Sequence, residues 1–150
     1  MPAAKQLPVT VTLTSQITYP EDEDTLKLQA PGTVTWLHDQ LYLRFTEDTI
    51  LEGQSFQTKV MLKFEQDGSV QMRRTSPTNS SQMHFIKGRP SQTHYQTPAG
   101  MLLLSIKTQA LKSQVSPQKP DQGQLDLSYS LTQNELVVGH YHIHLTFKPS

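Results

Sequence analysis

The sequence contains no cysteine at any of its 150 positions. Disulfide bridges, thiolate zinc sites and a cysteine nucleophile are therefore excluded within this chain. The sequence also lacks an excess of either charge, because 13 lysine and arginine residues balance 13 aspartate and glutamate residues. Without a net positive field, sequence-independent binding to nucleic acid is disfavoured.

Long hydrophobic runs are missing as well. No stretch approaches the roughly 18 consecutive apolar residues that a membrane-spanning helix requires. The first residues, MPAAKQLPVTVTL, alternate valine with threonine where a secretory signal needs an unbroken apolar segment. We therefore expect a cytoplasmic protein without a membrane partner. The length of 150 residues fits a single domain over positions 1–150.

Several catalytic signatures are also absent from the sequence. It has no G-x-S-x-G nucleophile elbow, no G-x-x-x-x-G-K phosphate-binding loop and no H-E-x-x-H zinc motif. The acidic segment EDED, at 21–24, lacks the ligand spacing and the central glycine of a calcium loop. The sequence therefore predicts no catalytic residue and no cofactor, and it favours a protein that is not an enzyme.

What the sequence does contain is a period of two. Between Leu7 and Tyr19, most odd positions are apolar, whereas the even positions are mainly threonine and glutamine. The phase then shifts, so that even positions from Leu26 to Trp36 are apolar or small. Such alternation predicts β-strands with one buried face and one solvated face. The Asp-Gly within QDGS, at 66–69, predicts a hairpin between two further strands.

The second half of the chain continues this pattern with shorter strands. The leucines of MLLLSIKTQAL, at 101–111, are compatible with a helix, but Thr108 and the flanking turns favour a strand. The polar segment KSQVSPQKPDQG, at 112–123, contains prolines and is predicted to be an exposed loop.

Many short strands with turns between them indicate an all-β sandwich or barrel. A barrel is favoured, because long strands in series that are joined by short turns can close and leave few unpaired edges. The predicted fold is an antiparallel up-and-down β-barrel of about eight to ten strands with no helix. Both an open and a filled interior are compatible with this size.

Five segments carry a resemblance to a known family, in this order along nearly the whole chain: GTVTWLHDQLYLRFTE, KVMLKFEQDGSVQMRR, MHFIKG, YQTPAGMLLLSIKTQAL and LDLSYSL. In these segments the chain resembles the YwiB family of small bacterial proteins, whose domain has unknown function. The resemblance implies a calycin-like barrel, similar to the lipocalins and the fatty-acid-binding proteins. It transfers no functional residue, because the family has no assigned activity.

The final predicted strand, GHYHIHLTF at 139–147, places His140, His142 and His144 on the face opposite its apolar residues. Neighbouring imidazoles, roughly 6.6 Å apart along a strand, can share one ion, whereas the outer two, roughly 13 Å apart, cannot. A complete site would need a third ligand from a neighbouring strand, for which the sequence offers His84, His94 and Asp126. We therefore interpret the histidines as a solvated face and predict no metal site.

Several polar residues fall on the predicted inner face of their strands: Thr58, Arg74, Tyr95, Thr108 and Tyr129. Buried donors need partners, which can be protein groups, ordered water or the head group of a ligand. We therefore predict a ligand-binding site at Arg74, Tyr95, Tyr129, Thr108 and Trp36, with Arg74 at its polar end. In the alternative interpretation, Arg74 extends to water at a strand end or stacks on Trp36.

Two functions remain open. The first is a non-enzymatic binding barrel that holds a small apolar or anionic amphiphile, or a protein partner on its rim. The alternative is an enzyme of unknown reaction that uses a metal site at a His pair on the outer sheet.

Overall fold

Ten strands form one closed antiparallel barrel in the computed structural model, which describes residues 6–51 and 53–150. The strands are β1 (Gln6–Thr18), β2 (Glu23–Leu37), β3 (Gln40–Leu51), β4 (Gln54–Phe64), β5 (Val70–Thr75), β6 (Ser80–Phe85), β7 (Ser91–Thr97), β8 (Gly100–Ser116), β9 (Lys119–Gln133) and β10 (Leu136–Pro149). Strands that are adjacent in sequence are adjacent in the sheet, and β10 closes the barrel against β1. The predicted all-β up-and-down barrel is therefore confirmed.

The connections alternate between the two ends of the barrel. The turns after β1, β3, β5, β7 and β9 lie at one end, which we call the open end. The turns after β2, β4, β6 and β8 lie at the other end, which we call the closed end. No helix that could span a membrane occurs in the described ranges.

Two tight hairpins, one at each end, show how local geometry supports this topology. His38 and Asp39 have φ angles of 52° and 62°, and Asn134 and Glu135 have φ angles of 50° and 66°. Two successive residues at positive φ are typical of type I′ turns, whose twist matches that of the paired strands. These turns therefore set the register of β2 with β3 and of β9 with β10.

Large apolar side chains fill the closed end. Five of them point inward and are at most 1% exposed: Leu41, Val70, Phe85, Leu125 and Phe147. A Cβ at Gly123 would lie 2.7 Å from Cζ of Phe147, so that only glycine lets this ring pack on the backbone of β9. The closed end is thus packed like an ordinary protein core.

The ladder between β2 and β3 is incomplete at the open end. β2 and β3 pair only between Gly32–Phe45 and Leu37–Gln40, so the first half of β2 and the second half of β3 diverge. The interior of the barrel is therefore accessible from this end.

The predicted loop at 112–123 is wrong. β8 continues to Ser116 and β9 begins at Lys119, which leaves a short turn between them. The register shifts between Thr108 and Ala110, and this bulge moves the inward face to odd positions, so that Leu111 and Val115 pack against the core. Because of this bulge, the inward residues of β8 do not follow a single period of two along the sequence. The segment 101–111 lies in β8, so the preferred assignment of that segment as a strand is confirmed.

Candidate functional site

The interior of the open end contains a cavity of about 370 Å³, which we call the end cavity. Every strand except β4 contributes to its lining. Its apolar lining residues are Leu13, Ile17, Leu26, Met72, Met83, Leu102, Leu104, Leu131, Val138 and Ile143. The volume lies within the range of about 300–1,000 Å³ that is typical of small-molecule sites.

The end cavity exists because small side chains occupy inward positions at this end. Ser15 on β1 and Ser81 on β6 line the cavity. Towards the closed end, the same two strands place the larger Val11 and Phe85 inward, and both are fully buried. The change from small to large side chains along each strand leaves space at one end only.

A charged pair lies in the end cavity. Arg74 donates from Nη1 to Oε1 of Glu47 at 3.0 Å and from Nη2 to Oε2 of Glu47 at 2.6 Å. Glu47 on β3 is aligned with Thr58 on β4, and Arg74 on β5 is aligned with Val60, so the two side chains meet across β4. The side chain of Glu47 is 4% exposed and that of Arg74 is 37% exposed. The carboxylate is therefore buried, while the guanidinium keeps some contact with the cavity.

Tyrosines form a further part of the polar lining near this pair. The rings of Tyr129 and Tyr141 stack with their centroids 4.9 Å apart and their planes at 7°. Burial raises the pKa of Tyr129, and Tyr141 raises it further, while the charge of Arg74 partly lowers it. Burial also raises the pKa of Tyr141, and Tyr19 and Tyr95 add to this shift. Tyr129 and Tyr141 are therefore neutral hydrogen-bonding groups at physiological pH.

A second cavity, of about 480 Å³, lies beside the first, and we call it the rim cavity. The two cavities share Arg74, Ser81 and Tyr95. The remaining lining of the rim cavity consists of five polar residues, Thr58, Ser76, Thr78, Asn79 and Ser80, together with Phe56 and Pro98. The two spaces adjoin at Arg74, and each combines polar side chains with apolar surface.

Exposed apolar side chains cluster at the open end, on the strand segments next to its turns. They are Tyr19, Leu26, Met101, Leu102, Leu103, Leu136, Val137 and Val138. Three of them, Leu26, Leu102 and Val138, also line the end cavity. The mouth of the cavity is therefore apolar on several sides.

The structure brings together three of the five residues that the sequence predicted for the site. Arg74, Tyr95 and Tyr129 all line the end cavity. Trp36 lies at the closed end instead, where its Nε1 donates to the carbonyl oxygen of Pro120 at 3.1 Å. Thr108 lines neither cavity, and its buried hydroxyl has no hydrogen-bond partner among the described residues.

Arg74 lines the end cavity and is 37% exposed, and its side-chain partner is Glu47 and not Trp36. The sequence analysis did not assign Glu47 to the site. The signal was present, since the inward alternation of Leu41, Leu43 and Phe45 reaches Glu47 two residues later. In the sequence, a charged residue at position 47 suggests that the strand has ended, although β3 continues to Leu51.

The histidines of β10 point outward, as predicted. Nε2 of His142 lies 2.6 Å from Oδ1 of Asp126 on β9, whereas Nδ1 of His144 lies 3.8 Å from Oδ2 of the same carboxylate. Nδ1 of His140 lies 2.6 Å from Oγ of Ser130. Within the part of the chain that the structure describes, no group of three or more His, Cys, Asp or Glu side chains is arranged to hold a metal ion.

A serine, a histidine and a glutamate also meet at the closed end. Nε2 of His84 lies 3.2 Å from both Oε2 of Glu65 and Oγ of Ser69, and the Ser69 hydroxyl also hydrogen-bonds to Glu65. In a catalytic triad the histidine joins serine and acid through different ring nitrogens. This cluster uses one nitrogen for both, so it links the β4–β5 hairpin to β6 and does not form a triad.

The same cluster changes the ionisation of its carboxylate. Burial favours a higher pKa for Glu65, but hydrogen bonds from Ser69, Gln71 and His84 outweigh burial and lower the pKa of Glu65. The charged carboxylate is therefore the form that the closed end stabilises.

Comparison with known proteins agrees with the barrel described above. The family model for a domain of unknown function, DUF1934, matches residues 11–145. The chain belongs to this family. The resemblance to YwiB-like proteins is thereby confirmed, and for this DUF1934 chain no curated protein matches in sequence.

Two solved structures resemble this DUF1934 chain. The ywiB protein from Bacillus subtilis has a TM-score of 0.80 and 18% identity, with 99% of this chain and 96% of that chain covered. A structural-genomics protein of unknown function from Bacteroides ovatus has a TM-score of 0.42 and 12% identity, with 96% of this chain and 42% of that chain covered. The first likeness shows a shared fold.

Proposed function

We propose that this DUF1934 protein is a non-enzymatic binding barrel that holds one small amphiphilic molecule in the end cavity. The observation that supports this function is the Glu47–Arg74 pair, set with tyrosine hydroxyls in an otherwise apolar cavity that opens at one end. Ligand sites commonly combine an apolar wall with a few convergent polar groups in this way.

In this proposal, the apolar part of the ligand occupies the end cavity and its head group lies near Arg74, at the junction with the rim cavity. A volume of about 370 Å³ equals roughly a dozen water-sized volumes. A chain of about ten carbons with a compact head group is therefore a suitable probe of this site.

The proposal also extends to the class and location of the protein. We assign it to the calycin-like barrels of bacteria and to the cytoplasm. The up-and-down strand order and the likeness to ywiB support the first assignment. The absence of cysteine from the sequence is in keeping with the second.

The test is the binding of Nile red, a neutral probe whose fluorescence rises in apolar surroundings, and its displacement by 1-decanol. We expect wild type to bind the probe and Ser15→Phe to lose at least about tenfold in affinity, because the new ring would fill the end cavity. Ser128→Phe is the matched control, since Ser128 aligns with His142 on the outer face. Equal binding by all three proteins, or binding by none, would contradict the proposal.

A protein partner on the apolar rim is the second form of the binding function. It is supported by the exposure of Met101, Leu103 and Leu136, which are 58%, 49% and 73% exposed. Binding of Nile red that responds to Leu136→Ser but not to Ser15→Phe would favour this rim over the end cavity.

The alternative function, an enzyme with a metal at a His pair, is supported by one observation. Asp126 lies next to both His142 and His144, so a carboxylate is present beside the pair. Elemental analysis of untagged protein distinguishes this alternative from the binding barrel. About one zinc, nickel or iron ion per chain would favour the enzyme.

A further inference from the structure

We infer that the ligand of the end cavity has an uncharged head group, and that the Glu47–Arg74 pair excludes carboxylate amphiphiles. This inference rests on the function proposed above and narrows its ligand class. The sequence alone pointed to an anionic amphiphile, because Arg74 was the only charged residue that we assigned to the inner face of the barrel. The structure adds a buried carboxylate beside that charge.

The charges in the lining of the end cavity cancel. Glu47 and Arg74 face each other through two hydrogen bonds, at 3.0 and 2.6 Å. A ligand carboxylate at the guanidinium would lie close to the carboxylate of Glu47, and like charges repel strongly where water is scarce. The side chain of Glu47 is only 4% exposed, so water can compensate little of its charge. Displacing it from Arg74 would leave a buried, unpaired charge, which is strongly unfavourable.

The charge of the surface at the open end also disfavours anionic ligands. Four acidic residues, Glu21 to Asp24, form the turn after β1 and the start of β2, and a single lysine, Lys27, follows them. These carboxylates are exposed. They create a negative potential near the mouth of the cavity, and this potential disfavours the approach of anions. This observation is independent of the Glu47–Arg74 pair.

The groups that stay available to a ligand suit a neutral oxygen. Arginine has five N–H donors, and the pairing with Glu47 uses one on each terminal nitrogen of Arg74. The remaining donors, with the hydroxyls of Ser81 and Tyr95, can satisfy the oxygen of an alcohol, an ester or an amide. The polar wall of the rim cavity, with Thr78 and Asn79, offers further uncharged partners.

Three ligands with the same ten-carbon chain test this inference: 1-decanol, decanoate and decylammonium. At pH 7.5 the second is an anion and the third is a cation. The displacement of Nile red by each ligand is measured for four proteins: wild type, Glu47→Gln, Arg74→Gln and the double variant. Glutamine matches glutamate in shape, is shorter than arginine but keeps an N–H donor, and removes one charge at a time. Circular dichroism confirms that each variant remains folded.

We expect wild type to bind decanol and to bind both ions at least about tenfold more weakly. In Glu47→Gln the freed guanidinium should raise the affinity for decanoate, relative to that for decanol, at least about tenfold. In Arg74→Gln the affinity for decylammonium should rise instead. The double variant should again bind decanol more tightly than either ion. Because the two single variants change preference in opposite directions, either one tests the inference if the other does not fold.

Two kinds of failure are distinguishable. If the ligands bind but decanoate affinity is the same in wild type and Glu47→Gln, the inference about head-group charge is overturned and the binding function stands. If decanoate binds wild type more tightly than decanol does, the ligand class is anionic and the inference is again overturned. If no ligand displaces the probe from any variant, the proposed function and the inference fail together.

Discussion

The two ends of the barrel are built from the same ten strands but differ in packing. At the closed end, Phe85 and Phe147 are at most 1% exposed and pack inside the barrel. At the open end, Ser15 and Ser81 face a space of about 370 Å³. β10 illustrates the gradient, because its inward residues become more buried from Ile143 to Phe147. The comparison teaches that one end supplies stability, whereas the other is free to vary its lining.

Strand pairing follows the same division. β2 and β3 remain paired through the closed half and diverge after Gly32–Phe45, just before Glu47. Glu47 therefore lies where its strand has lost one neighbour. Its carboxylate turns across β4 to Arg74, so an ion pair joins β3 to β5 where the β2–β3 ladder ends. The polar centre of the candidate site thus lies next to the gap between β2 and β3.

The largest expected effect compares two inward residues of β10 that lose the same number of carbons. Leu145→Ala should lower the free energy of unfolding by about 3 kcal/mol or more, because Leu145 is 1% exposed in the packed half. Ile143→Ala should cost about 1 kcal/mol, because Ile143 already borders the end cavity and has fewer packing partners to lose.

Urea denaturation, followed by the fluorescence of Trp36, measures both costs, since Trp36 is the single tryptophan and lies at the closed end. Equal costs for the two variants would contradict the division into a packed half and an open half.

A smaller effect is expected from adding one methyl group at each end. Gly123→Ala would bring Cβ to 2.7 Å from Cζ of Phe147 and 2.8 Å from the carbonyl oxygen of Gln114, and the backbone atom cannot move aside easily. We expect a loss of about 1–3 kcal/mol in the free energy of unfolding. Gly139→Ala is the matched variant, because its Cβ would meet only the ring of Tyr141, at 3.3 Å, beside the end cavity.

The expected cost of Gly139→Ala is below about 1 kcal/mol, since the Tyr141 ring can move into the free space. Thermal unfolding monitored by circular dichroism would measure both variants. A cost for Gly139→Ala as large as that for Gly123→Ala would show that the open end is as tightly packed as the closed one.

The fold was predictable because alternation and turn chemistry act locally. The odd positions of β1 from Val9 to Ser15 are all buried, as a period of two requires. Where a bulge interrupts that period, alternation no longer identifies the strand, and the polar, proline-containing segment 112–123, which follows the bulge between Thr108 and Ala110, was assigned to a loop. A bulge depends on the register with the partner strand, which a single sequence does not contain.

The candidate site was predictable only in part, for a related reason. Alternation states which face a residue occupies, and it placed Arg74, Tyr95 and Tyr129 inside correctly. It does not state the height of a residue along the barrel, so it could not show that Trp36 lies at the closed end, away from Arg74. The partnership of Arg74 with Glu47 joins strands that are not neighbours, so it follows from closure and strand tilt and not from any local pattern.

The smallest effects at neutral pH should be the ionisation effects, and they again separate the two ends. At the open end, the pKa of Tyr129 in the folded protein is raised above its ordinary value by burial and by Tyr141. A raised pKa favours the neutral form in the folded state, so this contribution to stability is complete below about pH 10 and is lost as the pH rises further. Tyr129→Phe should therefore flatten the decline of stability above that pH, and the half-buried Tyr141 should show a weaker effect of the same sign in Tyr141→Phe.

At the closed end, the sign is opposite, because hydrogen bonds from Ser69, Gln71 and His84 lower the pKa of Glu65 in the folded protein despite its burial. Its contribution is present above the ordinary value of 4.5 and is lost as the pH falls through the lower, folded-state pKa. Glu65→Gln should therefore flatten the acid limb of the stability profile and leave the alkaline limb in place, whereas Tyr129→Phe should do the reverse. Urea midpoints measured from pH 3 to 11 would show both limbs in each variant. If either substitution changes the limb assigned to the other end, the two ends do not ionise independently, and the separation between a packed half and a binding half is too simple.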